Sequence, residues 1–142
     1  MEVSELISEA EKSISKNNIS NAKLWYIKAI KLSPKDPNLH NSLGLLEMSL
    51  GFYVKAQKCF EIAIKNAPEI SRFHCNLGDS FLRIEKFETA ISHYNNSIDL
   101  DYKNSSSWNN KGFAYFRLGE WDEALSCYGK SIEARPDYSV AW

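Results

Sequence analysis

The side chains best equipped for molecular recognition recur at one spacing. Asn76 and Asn110 stand 34 residues apart, and so do Arg83 and Arg117. An asparagine amide donates and accepts, which suits it to a peptide backbone, and a guanidinium presents a planar fork of donors that fits a carboxylate. Arg72, Asn41 and Asn109 add the same chemistries, while Phe113 and Phe116 bring aromatic surface close to Arg117. Aromatic and arginine side chains together often dominate the energetics of an interface. Asparagine is equally a common solvated helix residue, and exposed arginines are commonly solvated or paired, here with Asp79. Both readings stand at this point.

Groups suited to catalysis are not assembled in the same way. Cys59, Cys75 and Cys127 are odd in number, widely spaced and without a metal-ligand pattern, so reduced thiols are expected. Cys75 has no neighbouring base to activate it. His40 and His74 share the register of Trp108, and His93 shares that of Trp25, Cys59 and Cys127, so all three histidines are expected to pack between helices. Glu85, Glu88, Asp122 and Glu123 fall near expected helix starts, where the positive helix end favours them. No carboxylate pair reads as an acid-base dyad, and neither a phosphate-cradling glycine loop nor a nucleophile elbow is found. The expectation is a non-enzymatic chain with no cofactor and no metal.

The spacing that pairs these residues runs through the whole chain. Gly44, Gly78 and Gly112 recur at it, as do Ala22, Ala56, Ala90 and Ala124. Aligned on it, the 142 residues form four blocks without insertion: Val3–Asp36, Pro37–Ile70, Ser71–Asn104 and Ser105–Tyr138. A fixed period of this size marks stacked repeats. Apolar residues return every three or four positions, so each block is expected to form two helices of about a dozen residues. The small residue at the eighth position (Ala10, Gly44, Gly78, Gly112) is expected to face the alanine at the twentieth. Beside them come an aromatic residue at the twenty-fourth (Tyr26, Phe60, Tyr94, Tyr128) and a small one at the twenty-seventh (Ala29, Ala63, Ser97, Ser131). Gly51 and Gly119 suit a turn with positive φ between the two helices, and Pro34, Pro68 and Pro136 punctuate the joins between blocks.

These residues resemble the tetratricopeptide repeat, most closely in the last block through Trp108, Gly112, Tyr115, Ala124, Tyr128 and Pro136. Glu9 and Lys111 stand where that family usually has leucine, Glu47 where it has an aromatic residue and Tyr102 where it has proline; each is expected to cost local packing. The resemblance implies an all-α, right-handed superhelix of antiparallel helix pairs over residues 1–142 as a single domain, with 139–142 opening an incomplete further repeat.

It also implies that first helices line a concave groove holding an extended peptide or a partner helix. In that register the N-terminal half offers mostly serine, asparagine and aliphatic residues, including Asn41, and the C-terminal half offers Arg72, Cys75, Asn76, Asp79, Arg83, Asn109, Asn110, Phe113, Phe116 and Arg117. Asn76 and Asn110 are similar to the asparagine ladder of O-linked N-acetylglucosamine transferases, which grips peptide backbone. A clamp for chaperone tails is not matched: Asn76 fits one clamp position, but Ile7 or Asn41, and Arg72 or Ser106, stand where lysines are expected, and only Arg72 could substitute.

Charge and hydropathy narrow the partners. A net charge of −1 leaves no basic stripe for nucleic acid. No apolar run approaches the roughly 20 residues needed to span a bilayer, and MEVSELISEAEKS is not an export signal, so no membrane partner and a cytoplasmic location are expected. The expected partner is a protein or peptide, with acidic character if the arginines engage it. Ser139, Val140, Ala141 and Trp142 repeat the opening of a block, Trp142 in the register of Trp108. The chain therefore reads as a fragment of a longer repeat protein, with association of copies through an uncapped C-terminal end as a consequence. The expected role is a protein-interaction module; self-assembly, or service as the regulatory part of a larger enzyme, are its competitors.

Overall fold

The computed structural model describes residues 1–135, so the expectations placed on Pro136 and on 139–142 lie outside the described residues. Eight α-helices, and no strand, occur among the described residues: α1 Val3–Ser15, α2 Ile19–Leu32, α3 Pro37–Ser49, α4 Tyr53–Asn66, α5 Ser71–Arg83, α6 Phe87–Leu100, α7 Ser105–Arg117 and α8 Trp121–Ala134. Every first helix has 13 residues and begins at the first position of its block, and every second helix has 14. The 34-residue period is thus kept by the backbone as well as by the side chains. The chain forms two compact units, Met1–Pro68 with α1 to α4 and Glu69–Trp142 with α5 to α8.

Local chemistry explains the boundaries. Asn18, Asp36 and Asn104 each accept a backbone N–H of the helix that follows, and Pro37 opens α3 where a missing amide hydrogen costs nothing. First helices all stop in the same way. The N–H of the sixteenth residue returns to the carbonyl of the eleventh: Asn18 to Ser13, Phe52 to Glu47, Lys86 to Phe81 and Glu120 to Tyr115. This closure needs a left-handed residue between them. Gly51 and Gly119 supply it at φ 82° and 81°, and Asn17 at 58°. In the third block the same position holds Glu85, at φ 62°. A glutamate rarely adopts this conformation, so Glu85, just ahead of the start of α6 as expected, is also a strained position.

The packing rule read from sequence needs one correction. Glycine at the eighth position faces the aromatic ring at the twenty-fourth: a Cβ on Gly44 would lie 2.5 Å from Phe60 Cε1, one on Gly78 2.7 Å from Tyr94 Cε1, and one on Gly112 3.0 Å from Tyr128 Cδ1. The alanine at the twentieth is a secondary neighbour, met at the Ala124 carbonyl, 3.2 Å from a Gly112 Cβ. A flat ring laid across a helix needs a site with no side chain, which is why the two residue types recur together. Phe60 and Tyr94 are fully buried, as are Ala22, Ala56 and Ala90.

The departures from the family pattern are accommodated rather than lost. Glu47 is buried in unit 1 and takes an ion pair from Lys23 of α2 at 2.5 Å. Lys111 lies 5.1 Å from the Trp108 ring, and Tyr102 meets Trp108 edge-on at 5.5 Å while its carbonyl accepts the indole N–H. His40, in the register of Trp108, reaches the corresponding carbonyl of Pro34 at 2.7 Å. His93 stacks on Phe81 at 5.2 Å. Both histidines are packing residues.

Candidate functional site

In unit 2 the first helices α5 and α7 lie in contact, and their shared face gathers most of the recognition chemistry. At its centre stands Asp79 of α5. Tyr94, from α6, donates its hydroxyl to Asp79 Oδ1 at 2.6 Å, and Asn110 of α7 donates its amide to the same oxygen at 2.8 Å. The phenol arrives there because Gly78 leaves room for its ring, so the repeat's own packing rule delivers a polar group to this face. Burial pushes the Asp79 carboxyl above its ordinary range, and the bonds from Tyr94 and Asn110, with the charge of Arg83, pull it back. The Tyr94 hydroxyl is raised by burial and then by the charge of Asp79.

The far end of α7 carries an aromatic and basic cluster. Arg117 donates to Glu85 Oε1 at 2.8 Å, and its guanidinium lies 5.0 Å from the Phe87 ring and 5.9 Å from that of Phe113. Phe113 and Phe116 remain 38 % and 48 % exposed, Phe116 edge-on to Trp121 at 5.0 Å. Asn109, Asn110, Phe113 and Arg117 follow one another at helical spacing, so one stripe of α7 presents amide, aromatic and guanidinium in turn.

The residues singled out from sequence do not all share this setting. Asn109, Asn110, Phe113 and Arg117 lie together on α7, Arg83 and Asn76 lie on α5, and Arg72 opens α5 with its guanidinium 5.0 Å from the Phe73 ring. Asn110 is already engaged by Asp79, and Asn109 donates to Asn110 Oδ1 at 3.3 Å. Asn41, in unit 1, is buried rather than open to a groove. Cys75 is buried too, and burial, then the charge of Asp79, push its thiol up to about 12, opposed by the Ser107 hydroxyl. A thiol in that state is a poor nucleophile.

Sequence reasoning placed Asp79 in the groove register without its bond to Tyr94, and it missed Tyr94 and Glu85 as members of the site. A signal for the Asp79–Tyr94 pair lay in the repeat grid. Tyr94, Asp79 and Asn110 occupy the twenty-fourth position, the ninth, and the sixth of the following block; in unit 1 the same positions hold Tyr26, Glu11 and Ser42. There the buried Tyr26 hydroxyl faces Ser42 and feels the charge of Glu11. A hydroxyl on the aromatic of the twenty-fourth position, matched to an acid at the ninth, marks both places.

Among the described residues no group of three or more histidine, cysteine, aspartate or glutamate side chains gathers to hold a metal ion. None of their helices is long and apolar enough to cross a membrane.

A family model described as tetratricopeptide repeat matches residues 105–138, and one described as TPR repeat matches 78–119. The chain is similar to the anaphase-promoting complex subunit CDC16 of Saccharomyces cerevisiae, 29% identical over 100 residues, which are 65% of this chain and 12% of that protein's length. Its fold is similar to a crystal structure of MamA protein, at a TM-score of 0.84 and 22% identity over 98% of this chain and 76% of that one. It is also similar, at a TM-score of 0.69 and 22% identity over 72% of this chain and 81% of that one, to the first TPR of Spaghetti (RPAP3) bound to the HSP90 peptide SRMEEVD.

Proposed function

We propose, from the premise that the chain belongs to the tetratricopeptide-repeat family, that it is a non-enzymatic interaction module holding an extended peptide on the α5–α7 face. The observation that carries this reading is the stripe on α7: two half-exposed phenylalanines beside an arginine held in place by Glu85, continued by the Asn109 and Asn110 amides. Exposed aromatic surface next to a fixed guanidinium and a polar rim is the composition of a binding hot spot. Asn76, Arg72 and Arg83 extend the same face along α5, and the three arginines favour a segment with acidic residues. An array of immobilised twelve-residue peptides, probed with the purified chain and with Phe113→Ala, tests the reading. Peptides captured by the parent chain and lost by Phe113→Ala support it; capture of none by the parent chain overturns it.

A second reading is favoured by one contrast in α8. Leu125 is 71 % exposed, whereas Ile91, in the same register of α6, is 8 % exposed beneath α7. With Trp121 at 58 % and Ile132 at 38 %, the outer side of α8 presents a stripe that an α7-like helix from another copy would cover. Leu125→Lys should then abolish any concentration-dependent rise in light-scattering mass. A mass that stays monomeric in the parent chain at high concentration removes this reading.

A further inference from the structure

The two hydrogen bonds that fix Asp79 converge on one oxygen. Tyr94 and Asn110 both donate to Oδ1, at 2.6 and 2.8 Å, while Oδ2 accepts no hydrogen bond among the described residues. Nor is Oδ2 sealed from solvent, in contrast with Glu47 Oε2, which is buried without a partner. Arg83 acts on Asp79 through its charge, with no ion pair formed between them. The carboxylate is therefore held from the inside by groups of α6 and α7 and keeps one acceptor without a hydrogen bond among the described residues. Preorganised polar groups of this kind lose little on binding and gain most from a matching donor.

We propose that Asp79 Oδ2 is a fixed acceptor for a main-chain N–H of the bound segment. A neutral donor suits the site better than a cationic side chain. Arg83, on the same helix, already acts on this carboxylate by its charge, and a second cation beside it would be repelled. A main-chain donor is also common to every residue but proline, so this site sets the strand's placement while Phe113 and Arg117 select its side chains. Tyr94 is a positioning residue: it meets the carboxylate from the core and has no exposed surface of its own.

This inference rests on the peptide-binding reading above and deepens it. Its test takes the tightest peptide from the array and compares its affinity for the parent chain and for Asp79→Asn. The substitution keeps an oxygen to accept from Tyr94 and Asn110 and turns the second acceptor into a donor. Roughly a tenfold to hundredfold loss is expected. The peptide is then methylated on one backbone nitrogen at a time. At a single position methylation should weaken binding to the parent chain and have no further effect on Asp79→Asn. Two results overturn the inference while leaving peptide binding intact: unchanged affinity of Asp79→Asn, or coupling of Asp79 to a lysine or arginine side chain of the peptide rather than to a backbone nitrogen. Circular dichroism melts of Asp79→Asn matched to the parent chain keep a loss of binding from being a loss of fold.

Discussion

The Tyr94 hydroxyl meets Asp79 Oδ1 at 2.6 Å, linking the ring that fills the third helix pair to the polar centre of the α5–α7 face. The ring passes over Gly78, so a change at the glycine acts on the core and on the site together. Gly78→Ala would bring a methyl group to 2.7 Å from Tyr94 Cε1 and must displace the ring. Overpacking of this kind costs about 1 to 3 kcal/mol, and chemical denaturation should show a loss of that size. Gly129→Ala, on α8 with nothing near the added carbon, is the control and should be far milder. Equal effects of the two changes would contradict the packing rule.

The Lys23–Glu47 pair makes a second prediction, in unit 1. Glu47 is 4 % exposed and its Oε2 has no partner, so Lys23 is what compensates its charge. Lys23→Met should destabilise the chain by about 3 kcal/mol, because a buried carboxylate is left alone. Adding Glu47→Leu should recover most of that loss, since two apolar groups need no compensation. If the double variant is no better than the single one, the pair is not the source of the cost.

The pH dependence of Asp79 has a definite sign. Its carboxyl is raised in the folded chain above the ordinary value of 3.8, chiefly by burial. Between 3.8 and the raised value the folded chain binds more protons than the unfolded one, so stability falls as pH rises through that window and levels off above it. Asp79→Asn removes this dependence. Denaturation midpoints measured from acid to neutral pH should show the variant gaining on the parent chain as pH rises. A gap that widens towards acid pH instead would contradict the assignment of burial as the dominant cause.

Thiol chemistry supplies a further check. Burial pushes Cys75 up to about 12 and Cys59 to about 11. At pH 8 the folded chain should therefore react with a thiol-specific disulfide reagent much more slowly than the same chain in denaturant. Cys75 in particular should be protected until unfolding, being 5 % exposed. Labelling of Cys75 at the rate of a free thiol in the folded chain would contradict its placement.

Much of this organisation was legible in the sequence because a repeat reports its own register. Helix boundaries fell at the same block positions four times, since the capping residues Asn18, Asp36 and Asn104 and the turn glycines Gly51 and Gly119 are local signals. Pairings between side chains were harder to read. Glycine and alanine both look like close-approach residues in sequence, and only the placed ring of Tyr94 or Phe60 reveals that it is the glycine the ring lies against. Glu47 reads as a misfit until Lys23, from another helix, is brought to it. Glu85 reads only as a helix-start carboxylate because its left-handed backbone is set by the closure of α5 and its side chain by Arg117, 32 residues away. The open or buried state of a residue likewise depends on neighbours beyond its own helix, which is why Asn41 reads as a groove residue and lies buried.

The central claim is that the α5–α7 face of unit 2 binds an extended peptide, and a map of amide chemical-shift changes on adding the array-selected peptide to the isotope-labelled chain tests it most directly. The largest changes are predicted at Asn76, Asp79, Asn109, Asn110, Phe113 and Arg117, with α8 from Asp122 to Ala134 little affected. Changes centred on Leu125 and Ile132 of α8, with α5 and α7 silent, would contradict it.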